Sequence, residues 1–193
     1  MSSIRNDRLP TIDARILDAA AYCVTAFGVD RVTLAEIARR ARVSRPTVYR
    51  RWPDVRSLLA ALLTERIVTA LDAVPSGAPG REAVVQRIVG VGQLLREDDV
   101  VMSILRDAPH LSMVYTTERL GTSQQIMVDS LSADIKLAQE HGSVRDGDPH
   151  KLAAMCLLVA RSAIQSGQIV AAILDADALD VELTHCLNGY LRP

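Results

Sequence analysis

Apolar residues recur at spacings of three and four along most of this chain, the period of helices rather than strands. From Thr11 the positions Ile12, Ile16, Ala20, Cys23 and Phe27 fall on one helical face, and Gly28 suits the stop. Two short helices are predicted next, each with its own start signals. In VTLAEIA, Thr33 is the cap, and Glu36 is placed to reach back to the Thr33 amide and complete a capping box. Val32 and Ile37 are spaced for a hydrophobic staple. In VSRPTV, Ser44 is the cap, Val43 and Val48 form the staple, and Pro46 occupies the first turn, where its missing N–H costs nothing. Leu34, Ile37, Ala38 and Ala41 mark the inner face of the first short helix. Val48 and Trp52, read as packing residues, mark that of the second. Two short capped helices joined by about three or four residues describe a helix-turn-helix.

Beyond Pro53-Asp54 a longer helix is expected, with Leu58, Leu62, Ile67 and Leu71 on its buried side. PSGAPG at 75–80 is a loop. Helical patterns follow at about 81–96, about 98–107 and near 114–140, and HGSVRDGDP at 141–149 breaks the chain again. The segment LAAMCLLVARSAI is apolar on nearly every face until Arg161. A helix apolar all round is buried all round, which in so small a domain implies contact with its own core and with another subunit. The helix at about 178–191, with Leu179, Leu183, Cys186, Leu187 and Tyr190 in register, is a second element for that surface. The whole reads as all-α.

Composition agrees. The 193 residues are 49% apolar, enough for a sizeable core, and only 3% aromatic, which favours helix-on-helix packing over a sheet sandwich. Cys23, Cys156 and Cys186 are far apart and lie in apolar helical patterns, so buried thiols are expected rather than a metal site. His141, His150 and His185 show no ligand spacing. No close-spaced nucleophile, base or metal cluster points to catalysis, and no cofactor is expected. MSSIRNDRLP reads as a polar arm, not a signal peptide. The longest uninterrupted apolar run, 152–160, is too short to span a bilayer. A cytoplasmic protein without a membrane partner is expected.

Charge changes the picture. Residues 1–52 hold ten arginines and five acids, a net of +5; residues 53–193 hold twelve Lys/Arg and eighteen acids, a net of -6, and the sum is the chain's -1. Six arginines, Arg39, Arg40, Arg42, Arg45, Arg50 and Arg51, fall within residues 38–52 without one acid. A basic head meeting a polyanion fits this split. In a helix-turn-helix the second helix enters the major groove led by its amino end, which also attracts phosphate. Ser44-Arg45-Pro46-Thr47 is that tip. Arg45 suits a base edge, where Arg to guanine is the commonest specific contact. Pro46 offers an apolar ring to a thymine methyl. Thr47, Tyr49 and Arg51 suit phosphate, and Arg50 suits base or phosphate. Thr33 and Arg42 complete the expected DNA-contact set.

Residues 32–59, VTLAEIARRARVSRPTVYRRWPDVRSLL, resemble the DNA-binding signature of the TetR family of transcriptional regulators. The matching pieces are Thr-x-x-Glu-Ile-Ala, the Val-Ser turn, Thr-Val-Tyr, the aromatic Trp52 and the following Leu-Leu. Two positions depart. Arg42 stands where the family usually has glycine, and Asp54-Val55 replaces a common Ser-Lys. If the backbone at Arg42 is left-handed, the arginine carries strain of about 1–2 kcal/mol.

The resemblance implies about nine helices, with a DNA-binding domain at 1–52 and a ligand-binding and dimerising domain at 53–193. It implies a homodimer through the last two helices, and a repressor released from a palindromic operator by a small-molecule effector, for which Met102, Arg106, His110, Met113, Tyr115, Met127, Ser130, Arg161 and Gln165 are the candidate lining. In the simplest case the two recognition helices sit about 34–36 Å apart on the operator. Two other readings fit the sequence less fully: a ligand-independent dimeric DNA-binding protein, and an enzyme carrying a DNA-binding head.

Overall fold

The computed structural model describes residues 11–107 and 121–193, and every described element is helical. In order these are α1 (Ile12–Phe27), a 3-10 turn (Val29–Arg31), α2 (Leu34–Ala41), α3 (Arg45–Arg51), α4 (Val55–Ala73), α5 (Arg81–Glu97), α6 (Asp99–Asp107), α7 (Thr122–Glu140), α8 (Pro149–Ser166), a 3-10 turn (Gly167–Val170) and α9 (Ala176–Leu191). The all-α expectation holds, with nine α-helices among the described residues. The chain forms two compact units, Met1–Leu62 and Leu63–Pro193.

The first unit is built on the predicted periodicity. Ile16, Ala20 and Cys23 of α1 are buried, as are Leu34, Ile37, Ala38 and Ala41 of α2 and Val48 of α3. The ends of the α1 face depart from expectation: Ile12 and Phe27, at the two termini of the helix, are exposed. Phe27 instead meets Tyr22 edge-on, ring centroids 6.2 Å apart. Trp52, expected in the core, is half-buried. Early in α4, Leu58 and Leu62 are fully buried.

The caps read from sequence at Thr33 and Ser44 are in place, and other helices start in the same way. Thr11, Thr33, Ser44, Asp148 and Asp175 each accept a backbone N–H of the first turn. Ahead of α4, the Asp54 carboxylate accepts the Ser57 N–H at 2.7 Å, and the hydrogen bonds from Ser57 hold its carboxyl below the ordinary carboxylate value. One expected reciprocal bond is not made. Glu36 does not return to the Thr33 amide; it takes Arg39 through two bonds of 2.9 and 2.5 Å. An (i, i+3) guanidinium offers a charge-assisted fork that a lone backbone N–H cannot match.

The second unit has two buried clusters. One joins Val84, Val85 and Val89 of α5, Val128, Leu131, Ile135 and Ala138 of α7, Leu152, Ala153 and Cys156 of α8 and Leu183, Leu187 and Leu191 of α9. The other joins Ile67 and Ala70 of α4, Val91 and Leu95 of α5 and Val101 of α6, with Met127 and Ile164 packed against it. Within this unit Arg87 and Asp134 form a buried ion pair, and Asp134 also accepts the Gly77 N–H at 3.0 Å. Arg145 donates to the Tyr190 carbonyl at 2.9 Å and lies over the Tyr190 ring. These ties join residues 45 to 57 positions apart, and no local pattern announces them.

Helix α8 is buried on one side only. Leu152, Ala153, Cys156 and Ala160 are inside, whereas Met155 and Leu158 are exposed. Counting the following 3-10 turn, Pro149–Val170 is long and apolar enough to cross a bilayer by length and composition, which the shorter uninterrupted run did not suggest. Cys23 and Cys156 are buried as expected. Cys186 is exposed, because Leu183, Leu187 and Leu191 take the inner face of α9 and leave position 186 outside.

Candidate nucleic-acid interface

Three residues, Arg42, Val43 and Ser44, separate α2 from α3. Arg42 has φ 54 and ψ 45, the left-handed conformation, and is the one described non-glycine residue with positive φ. The turn closes as a paired C-cap: the Arg42 N–H reaches the Arg39 carbonyl at 3.3 Å, and the Val43 N–H reaches the Ala38 carbonyl at 3.0 Å. Glycine adopts this geometry freely; arginine pays about 1–2 kcal/mol. Support comes from α1. The Arg15 guanidinium donates to the carbonyls of Ala41 at 2.5 Å and Arg42 at 3.2 Å.

Ser44 then starts α3. Its Oγ accepts the Thr47 N–H at 3.3 Å and lies 2.7 Å from the Thr47 hydroxyl. Val48 is fully buried and anchors the helix, and with it inward Arg45, Pro46, Tyr49 and Arg50 face outward. Thr47 is half-buried, and Thr33 is exposed at the amino end of α2.

The six arginines divide into two sets. Arg39 pairs with Glu36. Arg40 lies over the Tyr22 ring, 3.1 Å from its centroid. Arg51 pairs with Asp13 of α1 and reaches the Thr47 carbonyl at 3.5 Å. Among the described residues, Arg42, Arg45 and Arg50 are exposed and have no acidic partner. The Ser44–Arg50 tip therefore carries cations without a counter-ion among the described residues, at the amino end of a capped helix, an arrangement suited to phosphate and base edges. Of the four arginines expected at DNA, Arg51 is the one paired with an acid among the described residues.

Arg15 and Asp13 were not among the expected site residues. Their only sequence signal is position: both lie in the first turn of α1, flanking the start of its apolar face, and both bonds span more than twenty residues.

The candidate effector-site residues are more scattered. Met127 packs on the cluster of Ile67, Val91, Leu95 and Val101. Met102, Ser130 and Arg161 are half-buried, and burial lowers the pKa of Arg161; Arg106 and Gln165 are exposed. His110, Met113 and Tyr115 lie outside the described residues. Among the described residues no group of three or more His, Cys, Asp or Glu side chains is arranged for a metal.

Comparison with known proteins gives consistent results. The family model described as bacterial regulatory proteins, tetR family, matches residues 16–62. A helix-turn-helix-type transcriptional regulator of Mycobacterium tuberculosis is 58% identical over 191 residues, covering 99% of this chain and 100% of the relative. Among solved structures, RolR in complex with resorcinol superposes with a TM-score of 0.69 at 20% identity, over 93% of this chain and 87% of that one. FadR from Bacillus subtilis in complex with stearoyl-CoA gives 0.66 at 17% identity, over 92% and 98%.

Proposed function

The chain belongs to the TetR family of bacterial regulatory proteins, and on that premise we propose that this transcriptional regulator is a cytoplasmic homodimeric repressor, released from a palindromic operator by a small molecule. The observation that carries the DNA-binding part is the Ser44–Arg50 tip: a capped helix start, anchored by Val48, with Arg45 and Arg50 exposed and without acidic partners among the described residues. Arg45 takes the base-reading role and Pro46 an apolar contact. Thr47 and Tyr49 hold phosphate, with Arg42 and Thr33 at the flanks and Arg50 on base or phosphate.

Dimerisation is assigned to α8 and α9. Met155 and Leu158 of α8 and Val181 of α9 are large apolar side chains left exposed by a single chain, on helices whose other sides are core. The two-fold dimer makes the operator palindromic. The effector is assigned to the second unit, near Met102, Met127, Ser130 and Arg161, with Arg106 and Gln165 at the margin. The solved structures of RolR with resorcinol and FadR with stearoyl-CoA are of proteins similar in fold that hold quite different small molecules. Coupling of typical size, about 1–3 kcal/mol, weakens operator binding roughly 5- to 150-fold when the effector is bound.

The test begins with selection of a binding duplex from a random library. Arg45→Ala is expected to cost about 1–3 kcal/mol on that duplex with a much smaller loss on random DNA, whereas Thr47→Ala weakens both alike. Equal loss on both duplexes for Arg45→Ala removes the base-reading assignment. Small molecules that release the selected duplex then identify the effector, and a chain that no compound releases from it counts against the ligand-responsive part.

A further inference from the structure

We propose that Arg15, on α1, is a positioning residue for DNA recognition: it holds the left-handed turn at Arg42 that sets where the amino end of α3 points. This rests on the DNA-binding reading above and extends it to a residue outside the helix-turn-helix.

The last carbonyls of a helix have no partner within the helix. At the end of α2, the turn's own N–H groups satisfy Ala38 and Arg39, and the carbonyls of Arg40, Ala41 and Arg42 take no backbone N–H. Arg15 takes the last two of these three, the oxygens that flank the left-handed residue's own peptide units. A guanidinium at this end also opposes the negative pole of α2. The bond to the Arg42 carbonyl acts on the peptide that follows the left-handed residue. With Val43 and Ser44 the only residues left before α3, a change of φ and ψ at Arg42 redirects Ser44, Arg45 and Pro46 together.

Charge supports the same assignment. Arg15, Arg40 and Arg42 line one surface groove with Asp18 and Tyr22. Arg40 is spent on the Tyr22 ring and Arg15 on backbone carbonyls. Only Arg42 of the three is left exposed without a partner among the described residues. Arg15 thus serves the site through the backbone, not through contact with DNA.

The requirement for Arg15 is tied to the arginine at 42. Glycine occupies the left-handed region without strain, so a glycine there removes most of the need for the support. Affinities are measured on a duplex that the wild-type chain selects from a random library, and on random duplex of equal length. Arg15→Met is expected to reduce the preference for the selected duplex about tenfold, the size of one charge-assisted hydrogen bond. Arg15→Lys, which still donates to the carbonyls, retains most of it. Arg15→Met combined with Arg42→Gly returns to the level of Arg42→Gly alone. Arg15→Met with wild-type preference overturns the proposal, as does the same loss in the Arg42→Gly background. If Arg15→Met unfolds the chain, repair by Arg42→Gly supports the proposal and failure to repair overturns it. A wild-type chain that enriches no duplex sinks the DNA-binding reading, and this proposal with it.

Discussion

Arg51, at the last turn of α3, is paired with Asp13, in the first turn of α1, across 38 positions of sequence. The pair fastens the carboxyl end of the recognition helix to α1, while Arg15, two residues along, fastens the turn before it. Side-chain exposures of 29% and 57% place it in the surface class of ion pairs, worth about 0.2–1 kcal/mol. Arg51→Ala is expected to lower stability by no more than that. It should also change the salt dependence of DNA binding by much less than the ~0.9 of logarithmic slope that one lost phosphate contact removes. Asp13→Ala, which frees Arg51, is expected to steepen the slope. A full loss of ~0.9 for Arg51→Ala would show that Arg51 leaves Asp13 for phosphate.

The buried pair of Arg87 and Asp134 behaves differently. Both side chains are more than nine-tenths buried, and Asp134 also accepts the Gly77 amide. Removing one partner strands the other, so Asp134→Leu alone or Arg87→Met alone should each cost about 3–5 kcal/mol in urea unfolding. The double substitution is expected to recover much of that loss, leaving chiefly the unpaired Gly77 N–H. Additive losses in the double-mutant cycle would show that the two groups do not act as a pair.

The thiols offer a check on packing. Burial pushes the Cys156 thiol up to about 12 and raises that of Cys23 above its ordinary value of 9.0. Native protein at neutral pH should therefore resist alkylation at both positions until it unfolds, as read by mass spectrometry. The sign for stability follows from linkage. Between the ordinary value and about 12 the folded chain binds more protons at Cys156 than the unfolded one, so this contribution is whole below 9.0 and is lost as pH rises through that window. Alkylation of Cys156 in the folded chain at pH 7 would contradict its burial.

Leu158 is 61% exposed in the middle of α8, opposite a fully buried Cys156 environment. Leu158→Glu places a charge where the proposed two-fold partner sits. The expected outcome is a folded monomer by light scattering, with operator affinity greatly reduced because half of a palindrome holds one head only. A dimer that survives Leu158→Glu and Val181→Glu together would move the interface off α8 and α9.

The helical fold was legible because its signals are local. A period of three and four, a capping serine or threonine, and a proline in a first turn act within one or two turns of chain, so α1 to α4 and the α3 tip could be read before any packing was known. The same locality explains what was missed. Glu36 carries the spacing of a capping box, yet the choice between the Thr33 amide and Arg39 is a competition between partners that spacing alone does not rank. Cys186 fits the apolar register of α9, but Leu183, Leu187 and Leu191 fill the inner face and leave it outside.

By itself, then, the chain's order of residues determined the all-α class, the helix-turn-helix and the concentration of arginine within it, since each is a property of neighbours in sequence. Only the tertiary structure decided how those arginines are spent. Glu36, Tyr22 and Asp13 engage Arg39, Arg40 and Arg51, while Arg42, Arg45 and Arg50 stay exposed. It also brought Arg15 to the carbonyls of Ala41 and Arg42, and so showed what supports an arginine in a left-handed turn. The physical reason is range: caps and periodicity are settled over a few residues, whereas an ion pair or a carbonyl contact depends on which distant helix packs alongside.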